Sequence, residues 1–102
     1  MNRSIGWASA CVLTLVFAAP ALAAERNYWR YHGGHFENTT GNRWEERAED
    51  KTFHFVEVDR TERFVQLFDK DRDVTVRLYS DRQEDRTGNG QFHELRKGGW
   101  GR

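Results

Sequence analysis

The chain has 102 residues, with sixteen Lys and Arg against sixteen Asp and Glu, and carries no formal net charge. That balance excludes a global basic field for nucleic acid and an acidic tail. Aromatic residues make up 14% of the chain and the charges are interspersed, which argues against a disordered protein.

The N-terminus reads Met1-Asn2-Arg3-Ser4, followed by the apolar run Ile5 to Phe17 and then Ala-Ala-Pro-Ala-Leu-Ala. A charged start, an apolar centre and small residues at Ala21-Leu22-Ala23 predict a cleaved secretory signal over residues 1–23. Residues 24–102 are then one domain, secreted or periplasmic. Ile5 to Ala24 is long enough for a membrane anchor. Pro20 and the alanine-rich end favour cleavage, after which no membrane span remains. Lipidation at Cys11 is disfavoured by Ala8, where a larger aliphatic is usual. Cleavage also removes every Cys, Met, Pro and Ile of the chain. No disulfide can form in residues 24–102, although the compartment is oxidising. Packing must therefore stabilise the domain. Tyr28, Trp29, Tyr31, Phe36, Trp44, Phe53, Phe55, Phe64, Phe68, Tyr79, Phe92 and Trp100 supply the material, since each ring can bury ~150–250 Å².

Period-two segments separated by turn signals predict strands. Tyr28 to His32 alternates, Gly33-Gly34 interrupts, and His35-Phe36-Glu37 continues the same strand after a bulge. Asn38 to Asn42 is a turn cluster, and Arg43 to Arg47 a short strand centred on Trp44. Thr52 to Asp59 is a strand with Phe53/Phe55 and Val56/Val58 on opposite parities. Either both of its faces are covered, or a bulge near Phe55 shifts the register. Phe64 to Phe68 follows, and Val74 to Tyr79 is the most regular half-buried strand. Ser80 to Gly90 reads as a long polar loop, and Gln91 to Arg96 as the last strand. Nothing shows a helical stripe. The expected fold is all-β: a small antiparallel meander of about six strands, as a curled sheet or a small barrel.

Gly34-x-Phe36, Trp44-Glu45, Phe53-x-Phe55-x-Glu57-x-x-Arg60, Val65-x-Leu67-x-Asp69-x-x-Arg72, Val76-Arg77-Leu78 and Phe92-x-x-Leu95-x-x-Gly98-x-Trp100 carry a resemblance across nearly all of residues 24–102. The pattern resembles short secreted bacterial β-proteins of uncharacterised function. The resemblance implies a fold and no chemistry.

Catalytic chemistry finds little support. Ser80, the one serine after residue 23, lies in a polar stretch without a glycine-flanked elbow. Glu45 and Glu46 are adjacent, so on a strand they point to opposite faces. Glu45, Glu57 and His54 form the best set for an alternative reading, a small carboxylate/histidine enzyme on an extracytoplasmic substrate. His32, His35, His54 and His93 are scattered, and without cysteine a zinc site would need histidine and carboxylate alone. Asp69-x-Asp71-x-Asp73 departs from a calcium loop, because Val74 stands where glycine is needed and Ser80 where the closing glutamate belongs. No metal or cofactor is expected. The arginine excess predicts cross-strand Arg–carboxylate pairs.

The favoured reading is a non-catalytic binding or interaction module whose partner is a protein or polysaccharide. Exposed rings would stack on it. Tyr79, Trp29, Tyr31, Trp44 and Trp100 are the candidate ligand-binding residues. Tyr79 leads because it lies opposite the Val74/Val76/Leu78 face. A self-associating structural protein, pairing through sheet edges into a homo-oligomer, is a further alternative.

Overall fold

The computed structural model describes residues 26–102; the signal peptide expected over residues 1–23 lies outside the described residues. The strands are β1 (Tyr28–Tyr31), β2 (Gly34–Thr40), β3 (Arg43–Ala48), β4 (Lys51–Arg60), β5 (Phe64–Asp69), β6 (Val74–Tyr79), β7 (Arg82–Thr87) and β8 (His93–Trp100). Each pairs antiparallel with its sequence neighbour. Because β8 returns to β1, the sheet closes into a barrel. Closure decides between curled sheet and barrel, and it leaves no free strand edge among the described residues. The edge-pairing route to an oligomer therefore has no edge to use.

Eight strands stand where about six were expected. Gly33, at φ 102°, reverses the chain, so the segment read as a bulged continuation of β1 is a separate strand, β2. The stretch read as a polar loop contains β7, paired with both β6 and β8. It escaped notice because its inward residues are Gln83 and Asp85 rather than apolar ones. The irregularity expected near Phe55 lies further on, between Glu57 and Asp59. Val56 and Val58 sit on the outer side of β4 and are 40% and 52% exposed.

Alternation along the strands sends Trp29, Phe36, Trp44, Phe55, Val65, Leu67, Val76 and Leu78 into one core. Two rings lie against backbone that only glycine permits. At Gly34 a Cβ would collide with the Tyr31 ring and stand 2.6 Å from the Arg47 carbonyl. At Gly98 it would collide with Trp29 and stand 2.6 Å from the Arg30 carbonyl. Both glycines are register partners of Tyr31, on β2 and β8. The indole NH of Trp29 is satisfied by the Tyr79 carbonyl at 2.7 Å.

The outer surface is charged, with ion pairs Arg47–Glu45 at 3.0 Å and Lys97–Glu94 at 3.1 Å. Arginine is used chiefly in two other ways than cross-strand pairing. It bridges carboxylates close in sequence, as Arg60 does with Glu57 and Arg82 with Asp81 and Glu84. It also covers rings: Arg77 lies 4.5 Å from the Phe64 centroid and 4.1 Å from that of Phe92, and Arg82 lies 3.9 Å from that of Tyr79. A planar, weakly hydrated guanidinium stacks this way where an ammonium does so less well.

Candidate functional site

The β1–β2, β3–β4, β5–β6 and β7–β8 turns gather at one end of the barrel, here called the upper end. Beneath them opens a cavity of about 490 Å³. An eight-stranded barrel is just wide enough to be filled by side chains or to hold one small ligand. Here apolar side chains fill part of the interior and the upper part stays open. Phe55 and Val76 line the cavity from the core, Phe53 and Tyr31 flank it, and His32, Glu49 and Lys51 stand among its lining residues.

The polar lining comes from stretches far apart in the chain. Glu46 points inward from β3 and is 6% exposed. Its Oε2 accepts from the Tyr31 hydroxyl at 2.5 Å and from Arg96 Nη1 at 3.2 Å. The Arg96 guanidinium lies 4.0 Å from the Tyr31 ring centroid. Burial and then the bond to Glu46 push the Tyr31 hydroxyl up to about 12, so it stays a donor at neutral pH. Asp69, at the end of β5, accepts from the Asp71 and Arg72 amides and from Arg72 Nε. Arg72 is thereby held 3.9 Å from the Phe53 centroid.

β7 supplies the remaining pair. Gln83 is 1% exposed, and its Nε2 donates to Asp85 Oδ1 at 2.8 Å. Among the described residues, Gln83 Oε1 is one of two buried side-chain polar atoms without a hydrogen-bond partner, the other being Arg86 Nε. Leaving such an acceptor unpaired costs about 1–3 kcal/mol. Among the described residues Asp85 forms no ion pair, whereas Glu46 and Asp69 each have an arginine. Burial raises the Asp85 carboxyl above its ordinary range, against the opposing Gln83 hydrogen bond and the attraction of Arg96 and Arg72, while Glu46 adds to the rise. This end of the barrel is therefore polar and incompletely paired, a feature more common at functional sites than in a settled core.

The rings expected to bind ligand are dispersed. Trp29 and Trp44 are 0% and 1% exposed, so they are core residues and present no stacking face. Tyr79 does lie on the outer face, as its parity required, yet it is only 6% exposed. Arg82 covers its ring and Phe64 packs edge-on at 5.5 Å. Trp100 is half-buried and lines a second cavity of about 390 Å³ at the lower end, with Arg26, Arg63 and Tyr79. Tyr31 alone of the five lines the upper cavity.

The enzyme set does not converge. Glu45 and His54 are opposite one another on the outer face, 3.9 Å apart. Glu57 is on the inner face, bound by Trp44 Nε1 at 2.9 Å and by Arg60 at 2.9 and 3.0 Å. Burial alone would raise the Glu57 carboxyl, but the hydrogen bonds from Arg60 and Trp44 outweigh it and hold the group below its ordinary range. His35 stacks on Tyr28 on the outer face, with centroids 4.6 Å apart, whereas His32 lines the cavity. Among the described residues no group of three or more His, Cys, Asp or Glu is placed to hold a metal ion. In the run Asp69-x-Asp71-x-Asp73 the first carboxylate caps its own turn, and Asp73 adopts φ 57°.

Sequence reasoning passed over Gln83, Asp85, Arg72 and Arg96 as a group. The one available signal was a polar period-two stretch, Gln83-Glu84-Asp85, beside the regular strand β6. No protein-family model matches the chain, and no curated protein or solved structure does so either.

Proposed function

We propose that the protein is an exported, non-catalytic binding module that takes a small polar ligand, or the terminal group of a larger one, into the upper cavity of its barrel. One observation carries the reading. The open end of the interior is lined by buried charged and amide groups, and one acceptor among them, Gln83 Oε1, has no partner. A chain selected for stability alone would close this end with apolar side chains, as it does around Trp29 and Trp44. A cavity of about 490 Å³ lies within the range of small-ligand sites. It replaces the flat aromatic strip on which binding to an extended polymer would depend.

The test is a screen of small polar molecules against the purified protein by thermal shift, with each hit located by amide chemical-shift changes. Changes centred on Tyr31, Gln83, Asp85 and Arg96 are expected. Hits that locate only to the outer face, or to the lower cavity around Trp100, would overturn the assignment.

A further inference from the structure

We infer that the ligand of the upper cavity is an organic cation, a primary ammonium or guanidinium on a short carbon chain, received by Asp85 together with the Gln83 amide. This inference rests on the binding-module reading and names the chemistry of that same site.

The pairing of charges is the first support. Arg96 is matched by Glu46 at 3.2 Å, and Arg72 by Asp69 at 2.5 Å. At this end of the barrel Asp85 is the further inward carboxylate, and among the described residues its one hydrogen-bond partner is a neutral amide. A cationic ligand completes the balance. An anion would have to draw on guanidiniums already engaged, or on the exposed Lys51 at the rim, with the Asp85 carboxylate beside it.

The second support is the orphaned oxygen. Gln83 and Asp85 are two residues apart on β7, so both side chains point into the barrel. Gln83 is 99% buried, and the amide is oriented by its Nε2 bond to Asp85. A cation arriving at the carboxylate competes with that bond. It lets the amide turn about its last bond and bring Oε1 toward the ligand. An ammonium carries three donors and a guanidinium five, enough for Asp85 and Gln83 together. Phe55 and Val76 offer apolar wall for a carbon chain. The faces of Phe53 and Tyr31 are already taken by Arg72 and Arg96, so ring stacking of the cation contributes little.

Protonation of Asp85 competes with the ligand. Facing Asp85 are Glu46 from β3, Arg72 from the β5–β6 turn and Arg96 from β8. Its register partners are the uncharged Val76 on β6 and the exposed His93 on β8. Affinity for a cation is expected to fall as pH drops through the raised titration of Asp85, and Asp85→Asn should abolish that dependence.

The deciding experiment titrates n-butylammonium, n-butylguanidinium, butanol and butyrate separately into the purified protein, read by calorimetry and by amide chemical shifts. Both cations should move the Gln83 and Asp85 amides and bind about tenfold or more tighter than butanol or butyrate. Asp85→Asn should weaken the cations by about tenfold or more without lowering the melting temperature, while Glu45→Gln on the outer face leaves them unchanged. Tighter binding of butyrate or butanol at the same amides overturns the cation assignment and leaves the cavity reading standing. If none of the four moves those amides, the cation assignment also falls, and the broader screen decides the cavity reading separately.

Discussion

One part of the barrel interior packs Trp29, Phe36, Trp44, Val65, Leu67 and Leu78 against one another, all of them 0 or 1% exposed. The other part, beneath the upper turns, is lined by Tyr31, Glu46, Gln83, Asp85 and Arg96 around open space. The same eight strands and the same alternation build both. In the first part burial of rings and aliphatic chains stabilises the fold, and buried NH groups find partners, as Trp29 does at Tyr79 and Trp44 at Glu57. In the second part each buried charge must be matched, and Gln83 and Asp85 are not fully matched. A fold this small thus divides its interior between a packed part and an open, polar-lined end.

Four substitutions test that division. Trp44→Ala should be the most damaging, costing about 3–5 kcal/mol in urea denaturation, because it leaves a large void in the packed part. A loss well under that range would mean that the rings do not substitute for the missing disulfides. Glu46→Gln should cost less, roughly 1–3 kcal/mol, since Arg96 keeps partial solvent contact after losing its counter-charge. A stabilised Glu46→Gln protein would show that the polar end is not a matched network.

Glu57→Gln should cost about 1 kcal/mol at neutral pH, the worth of one hydrogen-bonded ion pair that is partly exposed. Its sign with pH is the sharper test. The Glu57 carboxyl is held below its ordinary value in the folded state. Its contribution is therefore present above the unfolded value and lost as pH falls through the folded one. Melting curves of the two proteins should converge under acid conditions.

Asp85→Asn should have the smallest effect, and in the opposite direction. The Asp85 carboxyl is raised on folding. The folded state therefore holds its proton more tightly, and stability falls as pH rises from the unfolded value through the folded one. At neutral pH the asparagine variant should melt slightly higher, and the gain should vanish at low pH. A lower melting temperature at neutral pH would place Asp85 with the structural carboxylates Glu46 and Asp69.

Much of this architecture was legible in the residues. Val74 to Tyr79 alternates so regularly that its bounds are those of β6, and parity sets Tyr79 opposite Val74, Val76 and Leu78. The burial of Tyr79 was not legible, because Arg82 and Phe64 cover it from other strands. β7 was hidden for a chemical reason: Gln83 and Asp85 occupy inward positions where a half-buried strand normally shows valine or leucine. Gly33-Gly34 was read as a bulge within one strand, and the pairing of Trp29 with Phe36 makes it a hairpin turn instead.

Local alternation and turn chemistry alone determined that residues 26–102 are all-β, where most strands other than β7 run, and which side of most strands faces inward, since a two-residue period is a property of neighbours in sequence. Tertiary structure decided the closure of β8 onto β1 and the company kept by the polar inward residues. Arg96 meets Glu46 across fifty positions of chain, and no local pattern encodes a contact of that span. The polar, open end of the barrel exists only because closure brings β1, β3, β7, β8 and the β5–β6 turn around one space.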